Sequence, residues 1–270
     1  MKSFTYHKPQ SVPQAVALLG DASDSRPLAG GMTLLPIMKH RLAAPRVLID
    51  LAGIASLKGI SVADGTLTIG AMTRHVDVAR SGLVTTSIPA LSALAGGIGD
   101  PAVRNRGTIG GSLATNDPSA DYPAALLALA GTVVTSRREI AADDFFHGPF
   151  ETALQPDELI VAARVPAPIA AGYSKFASQA SRYALVGVFV AKFRGGVRVA
   201  VTGAASTVFR LKAFETALTR CFEPNAIADV AVDASGFNAD IHAEAAFRAH
   251  LVTVMAKRAV ATAQAFARGT

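Results

Sequence analysis

A pair of adjacent glycines near the start of the chain is placed where it could hold a phosphate. The segment is Ala29-Gly30-Gly31-Met32-Thr33-Leu34, between a predicted strand and a short helix predicted over 34–39. Glycines at such a junction let backbone amides approach an anion closely, and the start of the helix adds a favourable dipole. An ordinary glycine turn with a purely structural role remains the alternative.

A second and longer segment, residues 96–114, is much richer in glycine. It contains Gly96, Gly97, Gly99, Gly107, Gly110 and Gly111. This density predicts an irregular backbone with many free amides, to which Thr108 and Ser112 add hydroxyl donors. Asp117 and Asp121 follow, and their carboxylates would suit ribose or ribityl hydroxyls. Because loops longer than about 12 residues are usually functional or disordered, we favour a second binding loop over a purely structural one.

Several other patterns with chemical meaning lack their required context. Residues 97–102 spell G-x-G-x-x-A, but they follow a predicted helix and contain Pro101, whereas the dinucleotide fingerprint follows a strand. His242-Ala243-Glu244 resembles half of a deaminase motif, but its P-C-x-x-C partner is absent. The six histidines are scattered, so no metal site is predicted, and Cys221 is expected to be an ordinary structural thiol.

The composition predicts a folded chain without a metal cluster of its own. Of 270 residues, 50% are hydrophobic and 17% are charged, which excludes a disordered or fibrous protein. One cysteine excludes a disulfide scaffold and any iron–sulfur or cysteine-rich zinc site held by this chain alone. We expect no membrane span and no signal peptide, and therefore a cytoplasmic location.

The net charge of +6 is spread along the chain rather than clustered. There is no tryptophan and there are four tyrosines, so few side chains can stack on bases. We therefore predict no nucleic-acid binding. An anionic ligand or the acidic face of another subunit is the expected counterpart of the basic charge.

Periodicity and turn residues predict an α+β fold in two parts. Asp64-Gly65 and Gly195-Gly196 predict hairpins, and a stretch over 165–168 with two prolines predicts an extended linker between the parts. Helices are predicted at 11–20, 34–39, 73–80, 89–95, 122–130, 210–220 and 243–268, and strands at 46–51, 66–69, 132–134, 159–161, 184–193 and 197–202.

Taken together, the two glycine segments resemble those of the flavoprotein, or medium, subunits of the molybdenum hydroxylases. That family includes xanthine dehydrogenase and aerobic carbon-monoxide dehydrogenase. The run V-R-N-R-G-T-I-G-G at 103–111 is the most specific part of the resemblance, which extends over nearly the whole chain. The similar stretches are 29–39, 69–73, 98–111, 117–121, 240–242 and 247–251.

The resemblance implies a two-lobed FAD-binding domain of the PCMH type over 1–168, with lobes at about 1–55 and 56–168. A smaller α+β C-terminal domain of the carbon-monoxide dehydrogenase flavoprotein type follows over 169–270. Both glycine segments would hold the pyrophosphate of a non-covalent FAD. The implied contacts are Pro27, Leu28, Ala29, Gly30, Gly31, Met32, Thr33, Leu34, Ile98, Thr108, Ile109, Gly110, Gly111, Ser112, Asp121, Ile160, Lys175 and Tyr183.

Individual roles follow from the same resemblance. Ile98 would lie against the isoalloxazine ring, and Asp121 would bind hydroxyls of the ribityl or ribose. Tyr183 would cover the flavin, although Arg182 stands where an acidic residue often precedes that ring. Arg104 and Arg106 would either shape the second glycine segment or face an iron–sulfur subunit. Asp121 has a second interpretation, as the cap of the helix predicted at 122–130.

The implied function is electron transfer within a complex. A large molybdopterin subunit would oxidise the substrate, and a small [2Fe-2S] subunit would carry the electrons to this chain. The three subunits would assemble as a dimer of heterotrimers. FAD on this chain would pass them to an external acceptor, so no acid–base catalyst is nominated here. Two alternatives stay open: a stand-alone FAD oxidase with a flavin-linking His or Cys, and a non-catalytic flavin-binding protein.

Overall fold

The fold begins with a small parallel sheet. The computed structural model describes residues 1–20 and 24–268; positions 21–23 of the predicted first lobe and 269–270 of the predicted C-terminal domain lie outside the described residues. The sheet has the order β1-β3-β2 and consists of β1 (Thr5–His7), β2 (Ser25–Leu28) and β3 (Val47–Asp50). Its helices are α1 (Val12–Gly20) and α2 (Leu34–Lys39). Because β2 lies at the sheet edge, Pro27 is tolerated within it.

The second sheet is antiparallel and has five strands in the order β4-β5-β10-β6-β7. Helices that follow β5 cover it and carry the second glycine segment. The strands are β4 (Ile60–Ala63), β5 (Thr66–Gly70), β6 (Thr132–Thr135), β7 (Glu139–Ala141) and β10 (Ile160–Pro166), with a hairpin of β8 (Phe146–Gly148) and β9 (Glu151–Thr152). The helices are α3 (His75–Arg80), α4 (Gly82–Ser87), α5 (Pro89–Gly96), α6 (Pro101–Arg106), α7 (Ile109–Thr115) and α8 (Asp121–Ala128).

A third sheet of four antiparallel strands, ordered β11-β12-β13-β14, forms the C-terminal part of the chain. A long final helix packs across β11 and β12. The strands are β11 (Ala170–Ala177), β12 (Ala184–Phe193), β13 (Gly196–Thr202) and β14 (Phe209–Arg210), and the helices are α9 (Lys212–Arg220) and α10 (Ala245–Arg268). Short 3₁₀ turns occur at Leu51–Gly53, Ala55–Leu57, Ala142–Asp144 and Pro224–Ile227.

The third sheet is buried on both faces, because alternate side chains of its strands point to opposite sides. Val188 and Val190 pack in the core that contains α10, whereas Phe189 and Ala191 pack in the core that contains α8. Polar contacts join the same layers: the Arg198 guanidinium donates to the backbone oxygen of Leu127 at 2.7 Å and to Asp143 at 2.6 Å. The second and third sheets therefore share one continuous core.

The structure confirms the α+β class and most of the predicted elements. Helix α2 spans the predicted residues, α1, α5, α8, α9 and α10 differ from their predictions by a few residues, and both predicted hairpins form. Within the described residues, no helix combines the length and the apolar character that crossing a bilayer requires.

Two sequence-based expectations about the backbone are wrong. The second glycine segment contains two short helices, because Asp100 and Thr108 cap them by accepting from the amides of Val103 and Gly111. The predicted linker over 165–168 is partly the end of β10, and the amide of Ala167 donates to Gly65 at 2.8 Å.

The sequence also left several elements unpredicted. Helix α4 contains the β-branched run Val84-Thr85-Thr86, which lowers helix propensity, but Ser81 caps it. Strand β11 is rich in alanine and contains Gly172, so its composition does not favour a strand. The short edge strand β1 shows no alternation long enough to detect.

The close packing of β11 against α10 depends on glycine at position 172. A Cβ at Gly172 would lie 2.9 Å from the carbonyl carbon of Ala259 in α10, whereas a Cβ at Gly195 would meet nothing within 4 Å. We expect Gly172→Ala to destabilise the chain by about 1–3 kcal/mol, because sheet and helix must separate. Gly195→Ala is the matched control and should leave the urea midpoint nearly unchanged. Equal midpoints for the two variants would contradict this account of the β11–α10 packing.

Candidate functional site

Both glycine segments line one cleft with a volume of about 740 Å³. They are in direct backbone contact, although they are far apart in sequence. A Cβ at Gly30 would lie 2.8 Å from the Cα of Gly107 and closer still to the carbonyl group of Arg106. Glycine at position 30 therefore allows the two segments to meet, and the volume is in the range of small-molecule and cofactor sites.

The first segment presents unpaired backbone amides to the cleft. Gly31 has a φ of +75°, a left-handed conformation that favours glycine. Among the hydrogen bonds of the described residues, the amides of Gly30, Gly31, Met32 and Thr33 have no protein acceptor. Gly31, Met32 and Thr33 also line the cleft. Successive free amides in such a turn form a concave site for an anion, which fits a phosphate group.

The second segment holds its shape through internal hydrogen bonds rather than leaving many amides free. The amide of Ile109 donates to the backbone oxygen of Thr73 at 3.1 Å, and that of Gly110 to Ala71 at 2.9 Å. The amide of Gly111 donates to the Thr108 hydroxyl at 3.2 Å. The expectation of many free amides is therefore wrong for these residues. Gly110 is required by packing, since its Cβ would lie 2.7 Å from the oxygen of Ala71.

Arg104 supports the bend that precedes the second segment's helices. Its guanidinium donates to the backbone oxygens of Ile98 at 2.9 Å and Gly99 at 2.7 Å. Gly99 has a φ of +50°. Of the two roles considered from the sequence, Arg104 therefore shapes the loop, whereas Arg106 is exposed on α6.

Asp121 is a buried carboxylate in the wall of the cleft. Its oxygen Oδ1 forms an ion pair with the Lys175 ammonium at 2.9 Å and accepts a hydrogen bond from the Tyr173 hydroxyl. Burial raises the pKa of Asp121, while Lys175 and Tyr173 act in the opposite direction and favour the ionised form. The N-cap of α8 is Ala120 and Asp121 is its first helical residue, so the capping interpretation is wrong.

His75 is a cleft residue that the sequence reasoning missed. Its side chain is buried, its Nδ1 has no hydrogen-bond partner, and its ring packs against Tyr122 with centroids 5.4 Å apart. Burial, and secondarily the positive charge of Arg104, lowers the pKa of His75 to about 4. The imidazole is therefore neutral near pH 7. No local pattern marks it, because its neighbours come from other elements.

The structure places most of the predicted site residues around the cleft. Those lining it are Pro27, Ala29, Gly31, Met32, Thr33, Leu34, Ile98, Thr108, Gly110, Gly111, Ser112, Asp121, Ile160 and Tyr183. Leu28, Gly30, Ile109 and Lys175 do not line it. Lining residues that were not predicted include Arg26, Leu51, Met72, His75, Val103, Phe150, Leu154, Glu158 and Leu159.

Cys221 does not have the environment expected of a structural thiol. It follows α9 at the surface and is exposed, and it is not part of the cleft lining. Within the described chain, no group of three or more His, Cys, Asp and Glu side chains is arranged to hold a metal ion.

Comparisons with known proteins agree along the length of the chain. Residues 2–168 match the family described as "FAD binding domain in molybdopterin dehydrogenase". The carbon monoxide dehydrogenase medium chain of Hydrogenophaga pseudoflava is 38% identical, with 97% of both chains covered. The nicotine 6-hydroxylase medium subunit of Paenarthrobacter nicotinovorans is 35% identical, covering 98% of this chain and 99% of that protein. A solved structure of reconstituted CO dehydrogenase from Oligotropha carboxidovorans superimposes with a TM-score of 0.91 at 33% identity, covering 98% of both chains.

The unpaired amides at Gly31 lead to a prediction about binding of FAD, the cofactor in that family description. Gly31→Ala and Gly65→Ala both place a side chain at a similar positive φ, +75° and +70°, but only Gly31 lines the cleft. We expect the left-handed backbone to cost each variant about 1–2 kcal/mol. The Cβ in Gly31→Ala also displaces the end of the Leu35 side chain, which would lie 2.9 Å away. Gly31→Ala should in addition lower the affinity for FAD about tenfold or more, which corresponds to a loss of at least about 1.4 kcal/mol of binding free energy.

The measurements are urea midpoints of the FAD-free chains and fluorescence titrations with FAD. Gly65→Ala controls for conformational strain remote from the cleft, because a Cβ there would meet nothing within 4 Å. If both variants bound FAD as tightly as the unchanged chain, the amides around Gly31 would not hold the phosphate.

Proposed function

Because the chain belongs to the family of FAD-binding domains of molybdopterin dehydrogenases, we propose that it is the FAD-binding medium subunit of a molybdenum hydroxylase complex. It receives electrons from iron–sulfur clusters on a partner subunit and passes them through FAD to an external acceptor. The observation that carries the proposal is the meeting of two glycine segments at one cleft. End-to-end similarity to medium chains of such enzymes supports it.

The cleft offers each part of FAD a matching group. The free amides of Gly31, Met32 and Thr33 suit the pyrophosphate, and the Asp121 carboxylate suits ribityl or ribose hydroxyls. Ile98 and Val103 provide apolar wall for a flat ring, in a cleft whose lining is mostly apolar. Bound FAD supplies the redox chemistry of the subunit. The role of this chain is to orient the cofactor and to set its surroundings.

Tyr183 is assigned to the mouth of the cleft. Its ring lines the cleft and is 45% exposed, and it follows Arg182, which has a φ of +61°. The turn is closed by hydrogen bonds from the Ser178 amide to the Tyr183 oxygen at 2.8 Å and from the Arg182 amide to the Ser178 oxygen at 2.9 Å. In the proposed function this ring covers the flavin, and Arg182 puts a positive charge beside it.

The partners follow from what this chain lacks for the whole reaction. Its single cysteine cannot supply the four thiolates that a [2Fe-2S] cluster requires. We assign the clusters to a small subunit, molybdopterin and substrate to a large subunit, and the whole to a dimer of heterotrimers in the cytoplasm. The net charge of +6 and the exposed Arg106 near the cleft suit contact with an acidic subunit surface.

Two observations favour this function over a stand-alone FAD oxidase. Cys221 is not a cleft residue, so it does not serve as a flavin attachment point. Similarity to the carbon monoxide dehydrogenase medium chain covers 97% of both chains, as expected for a medium subunit. The cleft is also lined by His75, but this side chain is buried and packs against Tyr122. We assign FAD as a non-covalent cofactor.

Non-covalent binding can be tested directly. We expect about one FAD per chain, released into the supernatant by acid precipitation, because amide and carboxylate contacts are lost when the protein unfolds. The measurement is the visible spectrum of supernatant and pellet. Yellow colour that stays with the pellet would indicate a covalent link and would favour the oxidase.

Because the three cofactors are assigned to different subunits, the proposal predicts what the isolated chain can and cannot catalyse. The purified chain should carry FAD but should not oxidise aldehydes, purines or carbon monoxide. The reconstituted three-subunit complex should turn over its substrate. The control is the complex rebuilt with FAD-free chain, which should regain activity on addition of FAD. Turnover by the single chain at a rate matching the complex would replace this proposal with the stand-alone oxidase.

A further inference from the structure

Asp121 lies in the flavin-binding part of the chain, but its carboxylate is held from the C-terminal sheet. Tyr173 and Lys175 are two residues apart on β11, so their side chains leave the same face of that strand. Both reach Oδ1 of Asp121 at the start of α8. The contact therefore joins the third sheet to the wall of the cleft.

Both contacts from β11 are made with the same oxygen of the Asp121 carboxylate. Tyr173 and Lys175 make their closest approaches to Oδ1, and no side chain of the described residues donates to Oδ2. Asp121 is 4% exposed and lines the cleft. Because one oxygen is held in place, the orientation of the whole carboxylate group is fixed. A fixed orientation allows the carboxylate to recognise one hydroxyl, or a pair of hydroxyls, of a ligand.

The third sheet is shaped to accommodate the Tyr173 hydroxyl. A Cβ at Gly187, on the neighbouring strand β12, would lie 2.5 Å from that hydroxyl oxygen. Glycine at position 187 thus leaves the space in which the hydroxyl reaches Asp121. Lys175 has a second contact, since its ammonium also donates to the backbone oxygen of Arg182 at 3.0 Å, next to Tyr183.

We propose that Tyr173, together with Lys175, is a positioning residue that holds the Asp121 carboxylate ionised and oriented toward a hydroxyl of the bound flavin nucleotide. This inference rests on the proposed function. It assigns to the C-terminal sheet a part in cofactor binding, through Oδ1 of Asp121 rather than through contact with the cofactor. It also gives Lys175 an indirect role in place of the direct flavin contact implied by resemblance.

The charged and titratable groups around Asp121 set the expected pH dependence. Burial raises the pKa of Tyr173 well above its ordinary value, so its hydroxyl remains a donor across the working range. Tyr122 on α8 also has a raised pKa, and Tyr183 and Asp117 lie on the cleft side. His75 titrates near 4, below the range tested. Asp121 is therefore the cleft group whose ionised form the Tyr173 hydroxyl stabilises, because its hydrogen bond lowers the pKa of that carboxyl.

The test is Tyr173→Phe in the full chain, stripped of flavin and titrated with FAD at pH 6, 7 and 8. Loss of the hydroxyl raises the pKa of Asp121 further, and the protonated carboxyl no longer accepts a charge-assisted hydrogen bond. We expect FAD binding on the order of tenfold weaker than in the unchanged chain at pH 6, with the difference shrinking toward pH 8. Tyr122→Phe is the matched control, because its buried hydroxyl has no partner and it lies outside the cleft lining.

A double variant separates positioning from general structural damage. In an Asp121→Asn background, Tyr173→Phe should cause no further loss of FAD affinity, whereas a purely structural effect would persist. If Tyr173→Phe does not fold, Gly187→Ala carries the test, since it displaces the hydroxyl and keeps the ring. Unchanged affinity at every pH, or a loss that persists in the Asp121→Asn background, would overturn the inference. Failure of the unchanged chain to rebind FAD would instead overturn the proposed function on which it rests.

Discussion

The backbone of Gly30 lies against the backbone of Arg106 and Gly107, and the geometry of the cleft depends on this contact. A side chain at position 30 would separate the two glycine segments. With them in contact, the turn at Gly31 is placed opposite the start of α7, and its unpaired amides share one cavity with Ile98 and Asp121. The contact is between main chains, so its distance is set by van der Waals packing of backbone atoms rather than by flexible side chains. Such rigidity is what a preorganised cofactor site requires.

The two segments contribute differently to that site. The first leaves its amides unpaired, whereas the second is an internally bonded scaffold, with Thr108 capping α7 and Arg104 bridging the oxygens of Ile98 and Gly99. Glycine content alone does not distinguish these cases. In the first segment glycine supplies a left-handed turn, and in the second it allows close packing against Ala71 and His75.

Turn residues and hydrophobic periodicity in the sequence were sufficient to predict the helices and strands that they mark. Gly195-Gly196 marked the β12–β13 hairpin, and the helix over 34–39 was predicted with its observed bounds. The caps at Asp100 and Thr108 were also present in the sequence, but the glycine density obscured them. Most predicted cofactor contacts do line the cleft, since they belong to two continuous segments. His75, Glu158 and Arg26 come from separate elements, and their convergence is a property of the tertiary fold that no local pattern records. Lys175 was associated with the site by resemblance, and the structure pairs it with Asp121.

Because β12 is buried on both faces, the part of the chain that matches the family is shorter than the part that must fold together. The family match ends at residue 168, but Phe189 and Ala191 beyond that point complete the core around α8. A chain truncated after 168 would turn one face of α8, whose residues are all buried, toward water. Its exposed apolar surface would favour aggregation, and Asp121 would lose both Tyr173 and Lys175. Excision of the flavin-binding half would therefore damage the cofactor site along with the fold.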